Sequence, residues 1–222
     1  MHGDRTLAGE VLEQVGVLGG EGCGGNPGQA GVVGGEAGVR QAIVGAAGPS
    51  LRSWVEYLSG RYTSALTYIS DARVRVGDEP ILDAVEALAS IQFEEPGVHI
   101  PRIEALAQRS PHQPVVRGAL GYAYAADGQT QKARALLASL KQVKEGDGYR
   151  APYANALIEI GLNQVRPAIE SLEESYRGGS MWSLGFLSDP ILAPLKDNPD
   201  YRTFLRQLSY PAREGTGNPK PL

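Results

Sequence analysis

The chain has 222 residues, of which 42% are hydrophobic and 21% are charged, so it is long enough to bury a sizeable core. Its net charge of −4 and the lack of a clustered basic stretch exclude the electrostatic footprint of a nucleic-acid-binding protein. The single cysteine, Cys23, excludes an internal disulfide and a zinc site of the Cys-x-x-Cys kind. No apolar run approaches the roughly 18 to 20 residues of a membrane helix, and the first residues do not follow the pattern of a signal peptide. We therefore expect a cytoplasmic protein with no membrane partner.

Residues 1–48 differ in composition from the rest of the chain, because they hold 15 of the 29 glycines and no aromatic residue. Ordering glycine costs backbone entropy, and little apolar area is present to offset that cost. We predict a disordered extension that ends at Gly48. The stretch Gly20-x-Gly22-x-x-Gly25 matches the dinucleotide-binding fingerprint, but such a match is expected by chance in a tract this rich in glycine.

From residue 49 onward, apolar residues recur at spacings of three and four, which predicts consecutive amphipathic helices and an all-α fold. The clearest stretch is residues 114–145. Its pattern predicts one helix over residues 115–126, a turn at residues 127–128 and a second helix over residues 130–143.

Small and large residues in this stretch occupy fixed positions of a 34-residue unit, counted with Pro114 as position 1. The matching residues are Leu120, Gly121, Tyr124, Gly128, Ala133, Leu137 and Leu140. The stretch resembles a tetratricopeptide repeat (TPR), a helix-turn-helix unit in which small residues let the two helices approach closely. The resemblance implies an α-solenoid.

The same phase recurs at steps of 34 or 35 residues, which indicates one clear unit and three degenerate ones over residues 49–178. The turn position gives Gly60, Glu94, Gly128 and Asn163, and the small position gives Ala65, His99, Ala133 and Ala168. Two units depart from the pattern by carrying Glu56 and Glu159 where a large apolar residue is expected. A further unit has His99 at the small position and a turn lengthened by Pro96 and Gly97.

Residues 179–210 contain Asp-Pro and Asn-Pro steps followed by apolar residues, and residues 211–222 are predicted to form a flexible tail. The segment is similar to the closing segment of many bacterial TPR proteins that act in signalling. Asn198 and Pro199 predict a helix start. The helix carries an apolar stripe that would cap the stack, formed by Tyr201, Phe204, Leu205 and Leu208.

The sequence offers few candidates for chemistry. It contains no His-Glu-x-x-His, no Gly-x-Ser-x-Gly and no paired Asp-x-Asp arrangement. His99 falls at a predicted helix contact, and Cys23 has no basic neighbour to activate its thiol. We predict no catalytic residue, no metal and no cofactor.

In the TPR family the first helix of each pair lines a concave surface that holds a partner segment. The positions that match it here are Trp54, Tyr57, Leu88, Tyr122, Arg150 and Tyr153. The resemblance implies a protein-interaction module that binds a helix or peptide, as the sensory or scaffolding part of a bacterial signalling protein. Two alternatives stay open: a self-assembling element whose groove binds this chain's N-terminal segment or another copy, and an enzyme that uses the glycine tract.

Overall fold

The computed structural model describes residues 48–93, 95–142 and 151–208, and within them the fold is all-α, without strands. The predicted N-terminal extension, up to residue 47, and the predicted tail lie outside the described residues. No described helix has the length and apolarity needed to cross a membrane. The α-helices are α1 (Pro49–Leu58), α2 (Tyr62–Val76), α3 (Pro80–Ser90), α4 (Ile100–Arg109), α5 (Pro114–Ala126), α6 (Thr130–Lys141), α7 (Pro152–Gly161), α8 (Val165–Arg177) and α9 (Pro199–Gln207).

Proline marks the start of every second helix. Its fixed φ suits the first helical position, where a backbone N–H has no partner within the helix. The helices that begin in this way are α1, α3, α5, α7 and α9. Of the helices between them, α2, α6 and α8 begin after connections of three residues, whereas α4 begins after a longer connection and has a proline at its second position.

Three of those turns share one backbone geometry. Gly60, Gly128 and Asn163 adopt left-handed φ values of 73°, 79° and 56°. At each turn the next N–H donates to the carbonyl five residues earlier, over 2.8 to 3.0 Å, as in a Schellman C-cap. Three of the four predicted turn positions therefore have equivalent conformations, and the fourth, Glu94, lies outside the described residues.

The helices approach one another where side chains are small. Ala65, Ala133 and Ala168, at the predicted small positions, are fully buried. Between α5 and α7, a Cβ built on Gly118 would lie 2.8 Å from the Cα atom of Ala154. The backbones of α5 and α7 are therefore in direct contact there.

The connection from α3 to α4 departs from the other turns. A 3₁₀ turn, Pro96–His99, precedes α4, and His99 is half-buried with its ring 5.4 Å from that of Phe93. The 3₁₀ turn packs closely against the turn after α5, because a Cβ built on Gly97 would fall 2.1 Å from an Asp127 carboxylate oxygen. His99 therefore lies just before a helix rather than inside a helix contact.

Buried acids on α3 join it to both neighbouring helices. The Asp83 carboxylate accepts hydrogen bonds from Arg73 of α2 at 2.6 Å and from the Ser110 hydroxyl at 2.6 Å, and it pairs with Arg109 of α4. Glu86, one turn later, is also buried and pairs with Arg73. These ion pairs fix α2, α3 and α4 relative to one another.

Candidate functional site

Five of the six residues predicted to line a groove come from four helices: Trp54 and Tyr57 from α1, and one each from α3, α5 and α7. The structure buries four of them, with exposed fractions of 2% or less: Trp54, Tyr57, Leu88 and Tyr153. Tyr122 is half-buried, and Arg150 lies outside the described residues. We call the surface formed by Trp54, Tyr57 and Tyr153 the groove.

The groove is covered by residues 180–195, which we call the C-terminal segment. It consists mainly of two 3₁₀ turns, Met181–Gly185 and Pro190–Leu195. The Trp182 ring stacks on Tyr153, with centroids 5.6 Å apart and an interplanar angle of 6°. The same ring meets Trp54 edge-on at 5.7 Å. One tryptophan therefore bridges α1 and α7.

A second aromatic ring and a glycine complete the apolar contact. Phe186 is fully buried and stacks on Tyr153 at 5.9 Å. A Cβ built on Gly185 would lie 3.0 Å from a methyl carbon of Leu58 and 3.2 Å from the Trp54 ring. The segment's backbone therefore lies directly against α1, at a place where a larger residue would be crowded.

Asp189 makes the central polar contact. Its Oδ1 atom accepts a hydrogen bond from the Tyr57 hydroxyl at 2.6 Å, and its Oδ2 atom accepts one from the Tyr153 hydroxyl. Oδ1 also accepts from the Ile191 N–H at 3.2 Å, which caps the second 3₁₀ turn. One buried carboxylate thus joins the segment to two helices.

Burial governs the protonation of this cluster. It raises the pKa of Asp189, and the hydrogen bonds from Tyr153 and Tyr57 offset only part of that rise. Burial, followed by the nearby Asp189 charge, raises the pKa of Tyr57 and Tyr153 well above 10.0. Both tyrosines therefore keep their protons near neutral pH and can donate to the carboxylate.

Comparison of the chain with family models, with curated proteins and with solved structures finds no match. Function is therefore inferred from the site itself.

A row of aromatic rings leads from the groove to the surface. Tyr57 lies 6.1 Å from Tyr62, Tyr62 lies 6.3 Å from Phe93, and Phe93 lies 5.4 Å from His99. The C-terminal segment covers Tyr57, whereas Phe93 is exposed. The segment therefore occupies only the inner end of this row.

The acid of the fourth repeat unit, which stands where a large apolar residue is expected, has a structural explanation. Glu159 is fully buried and accepts hydrogen bonds from Lys141 at 2.6 Å and from Ser171 at 2.7 Å. It lies beside a cleft of about 540 Å³ between α6, α7 and α8. The described residues contain no group of acids, histidines or cysteines placed to hold a metal ion.

Sequence reasoning missed Asp189 as a groove residue because Asp-Pro is an ordinary turn and helix-start signal. A weak signal was present. Tyr57 and Tyr153 were both predicted to face the groove, and buried tyrosine hydroxyls require a hydrogen-bond partner. In residues 180–195, Asp189 is the only acid, and it follows Trp182 by seven residues and Phe186 by three.

Proposed function

We propose that this protein is a TPR-like helical-repeat protein that acts as a protein-interaction module, without catalysis of its own. Its groove holds a non-α-helical segment of a partner. The TPR resemblance extends this proposal to the sensory or scaffolding part of a bacterial cytoplasmic signalling protein.

Two features support the repeat. The turns at Gly60, Gly128 and Asn163 are equivalent in conformation and hydrogen bonding. The residues five positions after each of them, Ala65, Ala133 and Ala168, are buried at helix contacts. Both features recur with the spacing at which a TPR unit repeats.

The occupied groove is the observation that carries the proposal. Stacked rings and a carboxylate between two tyrosine hydroxyls hold the C-terminal segment on α1 and α7. Grooves between helices bind peptides by the same means, with aromatic anchors in pockets and a few polar groups that set the register. The groove therefore has the chemistry of a peptide-binding surface, with an occupant from its own chain.

The occupant defines the partner's chemistry. It presents one aromatic residue, a second aromatic residue four positions later, and a carboxylate three positions after that, as Trp182, Phe186 and Asp189 do. A partner segment with this pattern replaces the C-terminal segment. Because both compete for one groove, binding and release of the C-terminal segment are coupled.

The test uses a full-length chain in which Trp182, Phe186 and Asp189 are replaced by Ala, called the released variant. A fluorescent synthetic peptide of residues 180–197 is titrated against it, and anisotropy is measured. We expect saturable binding to the released variant. We expect much weaker binding to the unmodified chain, because a tethered segment competes at an effective concentration of about 1 mM.

The matched controls change only the carboxylate contact. A peptide with Asp189→Ala should bind the released variant more weakly. That preference should disappear when Tyr57→Phe and Tyr153→Phe are added to the protein. If the released variant folds without binding the peptide, or does not fold at all, the segment is a permanent part of the core and the proposal is wrong.

The enzyme alternative depends on residues 1–48, nearly all of which lie outside the described residues. No described site favours it.

A further inference from the structure

We infer that residues 180–208 exchange between two copies of the chain, so that the groove of one copy receives Trp182, Phe186 and Asp189 of the other. The inference rests on the proposed function, because it requires a groove that releases and binds a segment. It identifies one specific partner for that groove, a second copy of this chain.

The fit of the occupant favours a second copy. The segment that matches this groove in shape, ring contacts and hydrogen bonds belongs to this chain, and every other copy carries it. Exchange requires no new contact, because Tyr57 and Tyr153 donate to Asp189 in the same way whichever copy supplies it. Exchange of an identical element is a low-cost route to dimers.

The connection to the segment can act as a hinge. Helix α8 ends at Arg177, and the chain then passes through Gly178 and Gly179, both exposed. Gly179 has a left-handed φ of 67°, so the turn depends on backbone conformation rather than on a packed side chain. A change of φ and ψ at these two residues redirects everything that follows them.

Helix α9 moves with the segment. Phe204 of α9 lies 6.3 Å from Phe186 of the segment and 6.2 Å from Tyr176 of α8. Phe204 packs both on the segment and on α8, the helix before the hinge. When the segment moves to a second copy, α9 therefore moves with it and packs on α8 of that copy. The exchanged unit is therefore residues 180–208, and the site of each copy is completed by the other.

Concentration sets how much dimer forms. The segment's own groove sees it at an effective concentration of about 1 mM, so the closed monomer dominates at micromolar protein. A covalent trap is therefore needed to accumulate the exchanged form.

The trap uses Leu58 and Gly185 in a chain with Cys23→Ser, because a Cβ built on Gly185 would lie 3.0 Å from a methyl carbon of Leu58. One variant carries Leu58→Cys and the other Gly185→Cys, and the two are mixed under mild oxidation. In the second variant the new Cβ is crowded against Leu58, whereas in the first variant the smaller cysteine side chain leaves space. Exchange places the side chain added at position 185 of one copy in the space vacated at position 58 of the other. It therefore brings the two thiols together.

We expect a covalent heterodimer on a non-reducing gel. A single chain with both substitutions should close its disulfide within the monomer, which checks the geometry. A mixture of Val74→Cys, on the exposed surface, with Gly185→Cys measures collisional cross-linking. Heterodimer no more abundant than in that control overturns the inference.

Sedimentation of the unmodified chain gives a second readout that needs no cysteine. We expect a monomer at micromolar protein and a dimer fraction that rises as the protein concentration approaches about 1 mM and is lost with Trp182→Ala. A monomer at all concentrations overturns the exchange. If peptide 180–197 still binds the released variant, the groove remains a peptide site and only the second copy is wrong; if that peptide also fails to bind, both proposals fail.

Discussion

Asp189 and Asp83 are both buried carboxyls, but their surroundings shift their pKa values in opposite directions. Asp189 meets neutral tyrosine hydroxyls, so burial dominates and raises its pKa. Burial also acts to raise the pKa of Asp83. There, hydrogen bonds from Arg109, Ser110 and Arg73 outweigh burial and lower the pKa. Whether the hydrogen-bond donors are neutral or positively charged therefore decides whether the pKa of each carboxyl rises or falls on folding, and so how stability depends on pH.

For Asp189→Asn we predict a pH-dependent effect on stability. The raised pKa means that the folded state binds a proton more readily than the unfolded chain. The stability that Asp189 contributes is therefore complete below its ordinary pKa of 3.8 and is lost as pH rises through the folded value. The difference in melting temperature, unmodified chain minus variant, should therefore fall as pH rises from 3.8 through the raised pKa of the folded state. Asp71→Asn, on the exposed face of α2, controls for charge removal, and a constant or rising difference contradicts the prediction.

For Asp83→Asn the sign is reversed. Because the pKa of Asp83 is lowered in the folded state, its carboxylate stabilises the fold at pH values above the ordinary pKa of 3.8. This stability is lost as pH falls through the lowered pKa of the folded state. At neutral pH we expect a loss of no more than about 3 kcal/mol, because Arg73 and Arg109 stay partly exposed and screened. Urea unfolding at several pH values measures it. A loss that persists unchanged at acid pH would show that the ion pairs contribute nothing.

The positions of the TPR resemblance select Trp54, Tyr57 and Tyr153 of α1 and α7, and the structure places these three residues around one segment. The segment that covers them was not predictable. Asp189 lies in a segment of 3₁₀ turns, where periodicity gives no direction. Its partners are 132 and 36 residues away in sequence, and no local pattern encodes such a contact.

At the scale of elements, the closest helix approach is between α5 and α7. Two glycines of α5 lie there, and they face different obstacles. A Cβ on Gly118 would meet the backbone of Ala154 at 2.8 Å, whereas a Cβ on Gly121 would meet the Cγ1 and Cδ1 atoms of the Ile158 side chain, both at 2.5 Å. Backbone atoms of a packed helix cannot give way, but a side chain can shift by a change of its χ angles, at a smaller cost.

We therefore predict that Gly118→Ala destabilises the protein more than Gly121→Ala. The first change forces α5 and α7 apart and should cost about 2 to 3 kcal/mol, and the second should cost about 1 kcal/mol. Chemical denaturation of the two variants measures both losses under the same conditions. Equal losses would mean that α5 and α7 shift as rigid bodies, so that the Ala154 backbone adds no extra cost to Gly118→Ala.

The turns allow a second comparison. Gly128→Ala places a Cβ on a residue with φ of 79° and should cost about 1 to 2 kcal/mol. Asn163→Gly, at an equivalent turn with φ of 56°, removes a strained Cβ and should be neutral or slightly stabilising. Melting temperatures of the two variants give the comparison. A stable Gly128→Ala variant would show that the left-handed turn is not required.

Helix boundaries were largely predictable where the repeat is regular. Residues 115–126 and 130–143 were predicted as helices, and α5 and α6 cover Pro114–Ala126 and Thr130–Lys141. The connection around His99 was less predictable. A histidine cannot fill a position that takes a small residue, so the chain forms a 3₁₀ turn and begins α4 after it.

At the scale of the molecule, the C-terminal segment joins α1 near the start of the fold to α7 near its end. Contacts of such long sequence separation add a large loop-closure cost and form late in folding. The segment's attachment through Gly178 and Gly179 separates it further from the helix pairs. We therefore expect two units of different local stability among the described residues: the helices up to α8, and residues 180–208.

We predict that hydrogen exchange resolves these two units. Amides of residues 180–208 should exchange together, by opening at a lower free energy than amides of α5 and α7. Mass spectrometry of exchanged peptides measures this, and Trp182→Ala should lower the protection of 180–208 more than that of α5. Equal protection throughout would show that the segment opens only with global unfolding.

The contact between Trp54 and Trp182 makes the protein its own optical reporter. These are the chain's two tryptophans, and their rings lie 5.7 Å apart at one interface. Ultraviolet emission excited at the red edge of tryptophan absorption therefore reports the environment of this interface. Opening of the segment exposes both indoles to water, which should shift the emission to longer wavelength. Fluorescence of the unlabelled chain can thus follow whether the groove is closed.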